Sequence, residues 1–178
     1  MFPYSPWVPY RLQEVDLSYN EIPVLTFDLT AGTSKVKKLN LSGNIINDIR
    51  SYVLGNLTSL EILDLSHNSL KDLVSRTSFG KFSLPPNITE LYLQNNLLET
   101  LPIKNLEESQ LLRVLDVRDN KLFRLEPELV KKIKTQLTVK YQGNNFNCDC
   151  FARPLKHYLS KQSPTTLRST IYNLTCTE

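Results

Sequence analysis

The chain has 178 residues, 40% of them hydrophobic and 22% charged, with a formal net charge of +3. That is ample apolar material for one folded unit, and no low-complexity linker divides it. No run is long enough to span a bilayer and no segment has the basic start and continuous apolar stretch of a signal peptide, so membrane association is expected only through an anchor absent from this chain.

Residues 1–11 carry Pro3, Pro6 and Pro9 among Phe2, Tyr4, Trp7 and Tyr10. They read as a partial N-terminal segment, either a poor cover for the open end of the solenoid or what remains of a preceding repeat. From residue 12 an asparagine returns on a fixed beat: Asn20, Asn44, Asn68, Asn96, Asn120 and Asn144, at steps of 24, 24, 28, 24 and 24 residues. Each follows the same alternation of apolar residues, as in Leu60, Leu63, Leu65, Asn68 and Leu70, which spell L-x-x-L-x-L-x-x-N-x-L. A period of this length marks a solenoid. Leu63 and Leu65 are two apart, so a short strand turns both to one face and Asp64 to the other. One coil cannot bury its apolar side alone, so the coils stack and their strands pair in parallel. The amide of each asparagine both donates and accepts, which suits a ladder of side chains satisfying backbone groups where the chain leaves the strand.

Residues 12–146 thus hold six repeats. The sixth is the weakest, with Gln136, Val139, Tyr141, Asn144 and Phe146 at the motif sites, as expected where the last coil gives way to a cap. Between strands, Leu54 and Leu57, Leu101 and Leu106, and Leu125 and Leu129 fill the core from the convex side, in irregular or short helical turns. The long third repeat, with Ser75 to Asn87 and the Pro85-Pro86 pair, is expected to bulge outward.

With the repeats laid out, the chain resembles the extracellular leucine-rich repeat family, with 24-residue repeats of the kind seen in Toll-type receptors, chaoptin and Slit. The stretch 143–150, Gly-Asn-Asn-Phe-Asn-Cys-Asp-Cys, resembles the start of that family's cysteine-bearing C-terminal cap, although the family usually has proline where this chain has Asn145. The resemblance implies an α/β fold: a right-handed leucine-rich repeat solenoid, or horseshoe, with a parallel β-sheet on the concave face and an irregular or short helical convex side. It places a cap over residues 147–178. Such caps normally carry four cysteines, the first bonded to the third and the second to the fourth. Here there are three, Cys148, Cys150 and Cys176. The resemblance therefore implies a Cys148–Cys176 disulfide, with Cys150 unpaired in this chain and its partner expected beyond Glu178; the alternatives are a free Cys150 thiol or a cap that pairs differently. Phe151, Leu155, Tyr158 and Leu159 recur at helical spacing after Pro154. They read as a cap helix lying over the end of the core.

Asn40, Asn56, Asn87 and Asn173 head N-x-Ser/Thr sequons and are expected glycosylation sites. Together with the cap cysteines they favour an oxidising, secretory environment. From Lys131 onward eight Lys or Arg face Asp149 and Glu178, giving +6 and leaving −3 for residues 1–130. This basic C-terminal end suits an acidic glycan such as heparan sulfate or an anionic membrane surface. The plainer reading makes Lys131, Lys132 and Lys134 a solvated convex face. No nucleic acid is expected, because the sheet face is not basic.

Enzymatic chemistry lacks its parts: there is no G-x-S-x-G, no H-E-x-x-H and no phosphate-cradling glycine loop. His67 and His157 are the two histidines. Asp64 and Asp116 share a column, yet an open sheet does not exclude water. No metal is expected, since the three cysteines lack four-ligand spacing, and no cofactor.

Recognition in a solenoid is carried by the residues between the apolar ones on the concave strands. One column reads Asp16, Asn40, Asp64, Tyr92, Asp116, Lys140; a second Glu14, Lys38, Ile62, Glu90, Val114, Thr138; a third, towards the turn, Tyr19, Gly43, His67, Asn95, Asp119, Gly143. Ile62, His67 and Tyr92 are expected to form a partner-binding patch with Asp64 and Arg118 at its polar edge. A glycan on Asn40 would push binding towards the C-terminal half. The expected function is non-catalytic recognition of a protein or glycan by the ectodomain of a secreted or cell-surface protein, in adhesion and guidance or receptor signalling. The alternatives are a Toll-type innate immune receptor ectodomain and an intracellular leucine-rich repeat scaffold with reduced thiols.

Overall fold

The computed structural model describes residues 12–27, 35–50, 52–73, 83–124 and 137–146. The cap with its three cysteines and Asn173, Lys131, Lys132 and Lys134, the N-terminal segment and the middle of the long third repeat lie outside the described residues. In chain order the elements are β1 Glu14–Asp16, β2 Val24–Leu25, β3 Lys38–Asn40, β4 Asp48–Ile49, β5 Ile62–Asp64, β6 Glu90–Tyr92, the helix α1 Ile103–Glu108, β7 Val114–Asp116 and β8 Thr138–Lys140.

Six of the strands form one sheet in the order β1-β3-β5-β6-β7-β8, each pair parallel. Each coil returns the chain to the same edge, so every new strand pairs with the one before it. The register sets Val15, Leu39, Leu63, Leu91, Leu115 and Val139 side by side. All six are buried, and Leu41, Leu65, Leu93 and Val117, two residues further on, are buried with them. The core is therefore a continuous apolar spine behind the sheet. Leu54, Leu57 and Leu106 close it from the opposite side. Leu12, the first apolar site of the first repeat, is exposed.

Turns, the short α1 and a second two-stranded parallel sheet, β2-β4, make up the return side among the described residues. The second sheet pairs Val24 with Asp48 and Leu25 with Ile49 and is extended by Asn47 N–H to Pro23 O (3.0 Å) and Arg50 N–H to Leu25 O (3.0 Å). A two-residue strand carries no periodicity, which is why sequence patterning passes over it.

The asparagines knit the coils together. The Asn44 Oδ1 accepts Ile22 N–H (3.1 Å), Asn68 accepts Ile46 N–H (2.8 Å), Asn96 accepts Leu70 N–H (3.0 Å), Asn120 accepts Leu98 N–H (3.0 Å) and Asn144 accepts Leu122 N–H (2.9 Å). Each Nδ2 donates to a carbonyl of its own turn and to one in the preceding coil; Asn68, for example, reaches Leu65 O (3.1 Å) and Leu41 O (3.0 Å). Asn20, in the first described repeat, is exposed and donates to Leu17 O and Ser18 O.

To aim those amides inward, the preceding residue turns left-handed in every coil: Tyr19 (φ 54°), Gly43 (66°), His67 (53°), Asn95 (56°), Asp119 (52°) and Gly143 (73°). Two of the six are glycine, for which this conformation carries no Cβ penalty. At Gly43 there is a second constraint, because an added Cβ falls 2.7 Å from Cδ1 of the Tyr19 ring. Gly43→Ala is expected to cost about 1–2 kcal/mol in urea unfolding. Adding Tyr19→Ala should relieve the steric part and leave the torsional part. Full recovery in the double variant would show that the φ of Gly43 is unimportant.

Candidate recognition surface

The register that buries one residue of each strand turns its two neighbours to the open face. Glu14, Lys38, Ile62, Glu90, Val114 and Thr138 align in one row, and Asp16, Asn40, Asp64, Tyr92, Asp116 and Lys140 in the next. The second row also ends the strands. Side-chain Oδ1 atoms of Asp16, Asn40, Asp64 and Asp116 accept the N–H of the residue two positions on, Ser18 (2.9 Å), Ser42 (3.0 Å), Ser66 (2.8 Å) and Arg118 (3.3 Å). This is an Asx turn repeated coil after coil. The Asp-x-Ser and Asn-x-Ser spacing carried that signal. Hydrogen bonding by the Ser18 side chain first, and by its backbone N–H second, holds the Asp16 carboxyl below its ordinary range.

One column position differs from the sequence reading, which set Asp116 on the open face. The Asp116 side chain is 1% exposed, covered by Arg118 through Nε–Oδ1 (2.9 Å) and Nη2–Oδ2 (2.8 Å), with Lys140 Nζ 3.6 Å from Oδ2. Two cations lie on the carboxylate and remove it from solvent. The pairing with Asp116 raises the Arg118 pKa. Arg118 is committed to this internal pair. Nearer the N terminus, Lys38 bonds Glu14 (2.7 Å), which raises the lysine pKa, and Lys37 bonds Glu61 (2.8 Å). Exposed pairs of this kind contribute little to stability, because water and salt screen them.

Of the expected patch, Ile62, Asp64 and Tyr92 lie together on neighbouring strands and are half-buried, while His67 is exposed on the turn with its Nε2 3.4 Å from Asn95 Nδ2. The Tyr92 hydroxyl donates to Glu90 Oε2 at 2.6 Å. That bond, burial, and the charges of Glu90, Asp64 and Asp116 push the Tyr92 pKa up to about 12. Tyr92 therefore contributes to stability below the unfolded value of about 10, and the contribution is lost as pH rises through about 12. In a difference titration at the tyrosinate absorbance, Glu90→Gln is expected to bring one tyrosine back towards ordinary values; an unchanged curve would count against the bond.

Patterning did not single out Tyr19, which is 84% exposed. Among the sequon asparagines, Asn40 is on β3 with its Oδ1 engaged by Ser42, Asn56 is exposed, and Asn87 is exposed with Nδ2 donating to Thr58 O (2.7 Å). Among the described residues no cluster of His, Cys, Asp and Glu could hold a metal, and no helix is long and apolar enough to cross a membrane.

A leucine rich repeat family model matches residues 10–70 and 34–84. Toll-like receptor 2 of Pan troglodytes is 33% identical over 141 residues, covering 79% of this chain and 16% of the receptor. Nephrocan of Mus musculus is 26% identical over 145 residues, covering 82% of this chain and 27% of nephrocan, and podocan of Mus musculus is 30% identical over 122 residues. The chain thus spans about a sixth to about a quarter of the length of these curated relatives. A solved octameric complex of Latrophilin 3, Unc5D and the leucine-rich repeats of FLRT2 contains a chain that superimposes with a TM-score of 0.71 at 21% identity, over 86% of this chain and 46% of that one. Repeat motif, stacked parallel sheet and both kinds of likeness agree: the chain belongs to the leucine-rich repeat family.

Proposed function

We propose that this chain is a recognition module of an extracellular or cell-surface protein, binding a protein partner on its six-stranded sheet without catalysis. The observation that carries this reading is the open sheet face, whose side chains stand in register across six strands with no other element of the described residues packed over them. The relatives are extracellular or cell-surface leucine-rich repeat proteins of receptor and binding type rather than enzymes, which supports both the compartment and the mode of action. Likeness to FLRT2, solved together with Unc5D and Latrophilin 3, supports adhesion or guidance. The 33% identity to Toll-like receptor 2 favours a second reading, the ectodomain of an innate immune receptor. A glycan ligand on the same face, an acidic glycan at the basic C-terminal end, and glycans on Asn40, Asn56, Asn87 and Asn173 belong to the same proposal, as does the Cys148–Cys176 bridge.

Two single substitutions test the face. Asp64→Asn creates the sequon Asn-Leu-Ser at 64–66 in the middle of the sheet, and Glu107→Asn creates Asn-Glu-Ser at 107–109 on α1. With both glycans verified by mass, binding of the secreted protein to a panel of cells is measured by flow cytometry. The sheet glycan is expected to abolish binding and the helix glycan to leave it intact. Loss with the helix glycan alone would place recognition on the convex side.

A further inference from the structure

Charges on the sheet are matched at both ends and unmatched in the middle. Lys38–Glu14 and Lys37–Glu61 pair towards the N terminus, and Arg118 and Lys140 cover Asp116 towards the C terminus. Between them, the carboxylates of Asp64 and Glu90 form no ion pair with any of the described residues, although Lys38, bonded to Glu14, also feels the charge of Glu90. Asp64 spends Oδ1 on Ser66 N–H, and Glu90 spends Oε2 on the Tyr92 hydroxyl, so each keeps an acceptor oxygen. Asp64 is the direct register partner of Tyr92, and Ile62 that of Glu90, on strands about 4.8 Å apart.

Acceptors thus outnumber donors around one aromatic ring. The Tyr92 pKa is raised first by its bond to Glu90 and by burial, and in smaller part by the charges of Glu90, Asp64 and Asp116. We infer that this central patch docks an arginine side chain of a protein partner, its guanidinium stacked on the Tyr92 ring between the carboxylates of Asp64 and Glu90. A planar cation with a fork of N–H donors answers two separated carboxylates and an aromatic face at once, whereas an ammonium is a compact, strongly hydrated point charge. Half-buried Ile62 and Val114, on either side of Glu90, offer an apolar bed for the arginine methylenes. The inference rests on the sheet face being the recognition surface and adds the chemistry of its centre.

The variants that test it are chosen to preserve the fold. Glu90→Gln keeps an acceptor for the Tyr92 hydroxyl. Asp64→Ser keeps a weaker hydroxyl acceptor for the turn and creates no sequon. The probe is N-acetyl-arginine methylamide, titrated into the isotopically labelled protein and followed by amide chemical shifts, with the lysine counterpart alongside. Expected are saturable shifts confined to β5, β6 and their turns, at least about 3-fold weaker for lysine and at least about 10-fold weaker in Asp64→Ser/Glu90→Gln. Glu21→Gln, an exposed charge in the first repeat, should change binding less than about 2-fold. Shifts that are absent, scattered over the surface, equal for lysine, or unaltered in the double variant would overturn the assignment. Should they fail while the glycan at position 64 still blocks cell binding, the arginine assignment falls and the recognition face stands. If that glycan leaves cell binding intact, the recognition reading itself falls.

Discussion

Alanine in place of Asn96 is expected to destabilise the protein by about 2–4 kcal/mol. Asn96 is 5% exposed and makes three hydrogen bonds across two coils: Oδ1 accepts Leu70 N–H (3.0 Å), and Nδ2 donates to Leu65 O (2.9 Å) and Leu93 O (3.1 Å). Truncation leaves the buried Leu70 N–H without its partner, worth about 1–3 kcal/mol where water cannot reach, and takes one of two donors from each carbonyl, since Leu65 O keeps Asn68 (3.1 Å) and Leu93 O keeps Asn120 (2.9 Å). It also opens a void. Aspartate does no better, because it keeps the acceptor for Leu70 N–H but sets a second, negatively charged oxygen against the Leu65 and Leu93 carbonyls. Asn20→Ala supplies the comparison: its bonds go to its own turn at an exposed site, so a loss below about 1 kcal/mol is expected. Equal losses at 96 and 20 in urea unfolding would mean that the side chains act turn by turn and not as a ladder. Because a solenoid divides stability among neighbouring coils, hydrogen exchange should also show protection falling first at Leu70 and the turns beside it.

The second large effect is expected at Leu91, the inward residue of β6. It is 1% exposed, lies in register between Leu63 and Leu115, and packs into the buried spine. Leu91→Ala removes three carbons from a site closed by strands on both sides, so the void cannot collapse and the cost is expected at about 3–4 kcal/mol. Val15 occupies the same row on β1, the first strand of the sheet, and is 9% exposed. With less to lose and room to relax, Val15→Ala is expected to cost about 1 kcal/mol. A cost at Val15 matching that at Leu91 would contradict the burial gradient along the sheet.

Much of this architecture is legible because period and chemistry coincide. Leu39, Leu63, Leu91 and Leu115 recur where a strand must face the core, and an asparagine follows five residues later where the chain must bend inward. The rows read from the sequence match the strand register residue for residue. The β2-β4 sheet was not legible, since two residues per strand leave no alternation to read. Nor was the fate of the polar rows. Alternation assigns Asp116 to the open face, but Arg118 and Lys140 fold over it, because long flexible cations two residues away and one strand away can reach a carboxylate and an aspartate cannot withdraw.

The sequence by itself determined the repeat, the inward residues, the asparagine ladder positions and the family. These depend on spacing along one chain, and a fixed period repeats the same local geometry at each coil. Only the tertiary structure decided which charges on the sheet satisfy one another and which do not. Lys37 meets Glu61 and Lys38 meets Glu14 across strands 24 residues apart in sequence, while Asp64 and Glu90 keep acceptor oxygens open beside Tyr92. Such pairing is set by side-chain reach over about 4.8 Å between strands, a distance that the linear order of residues does not encode.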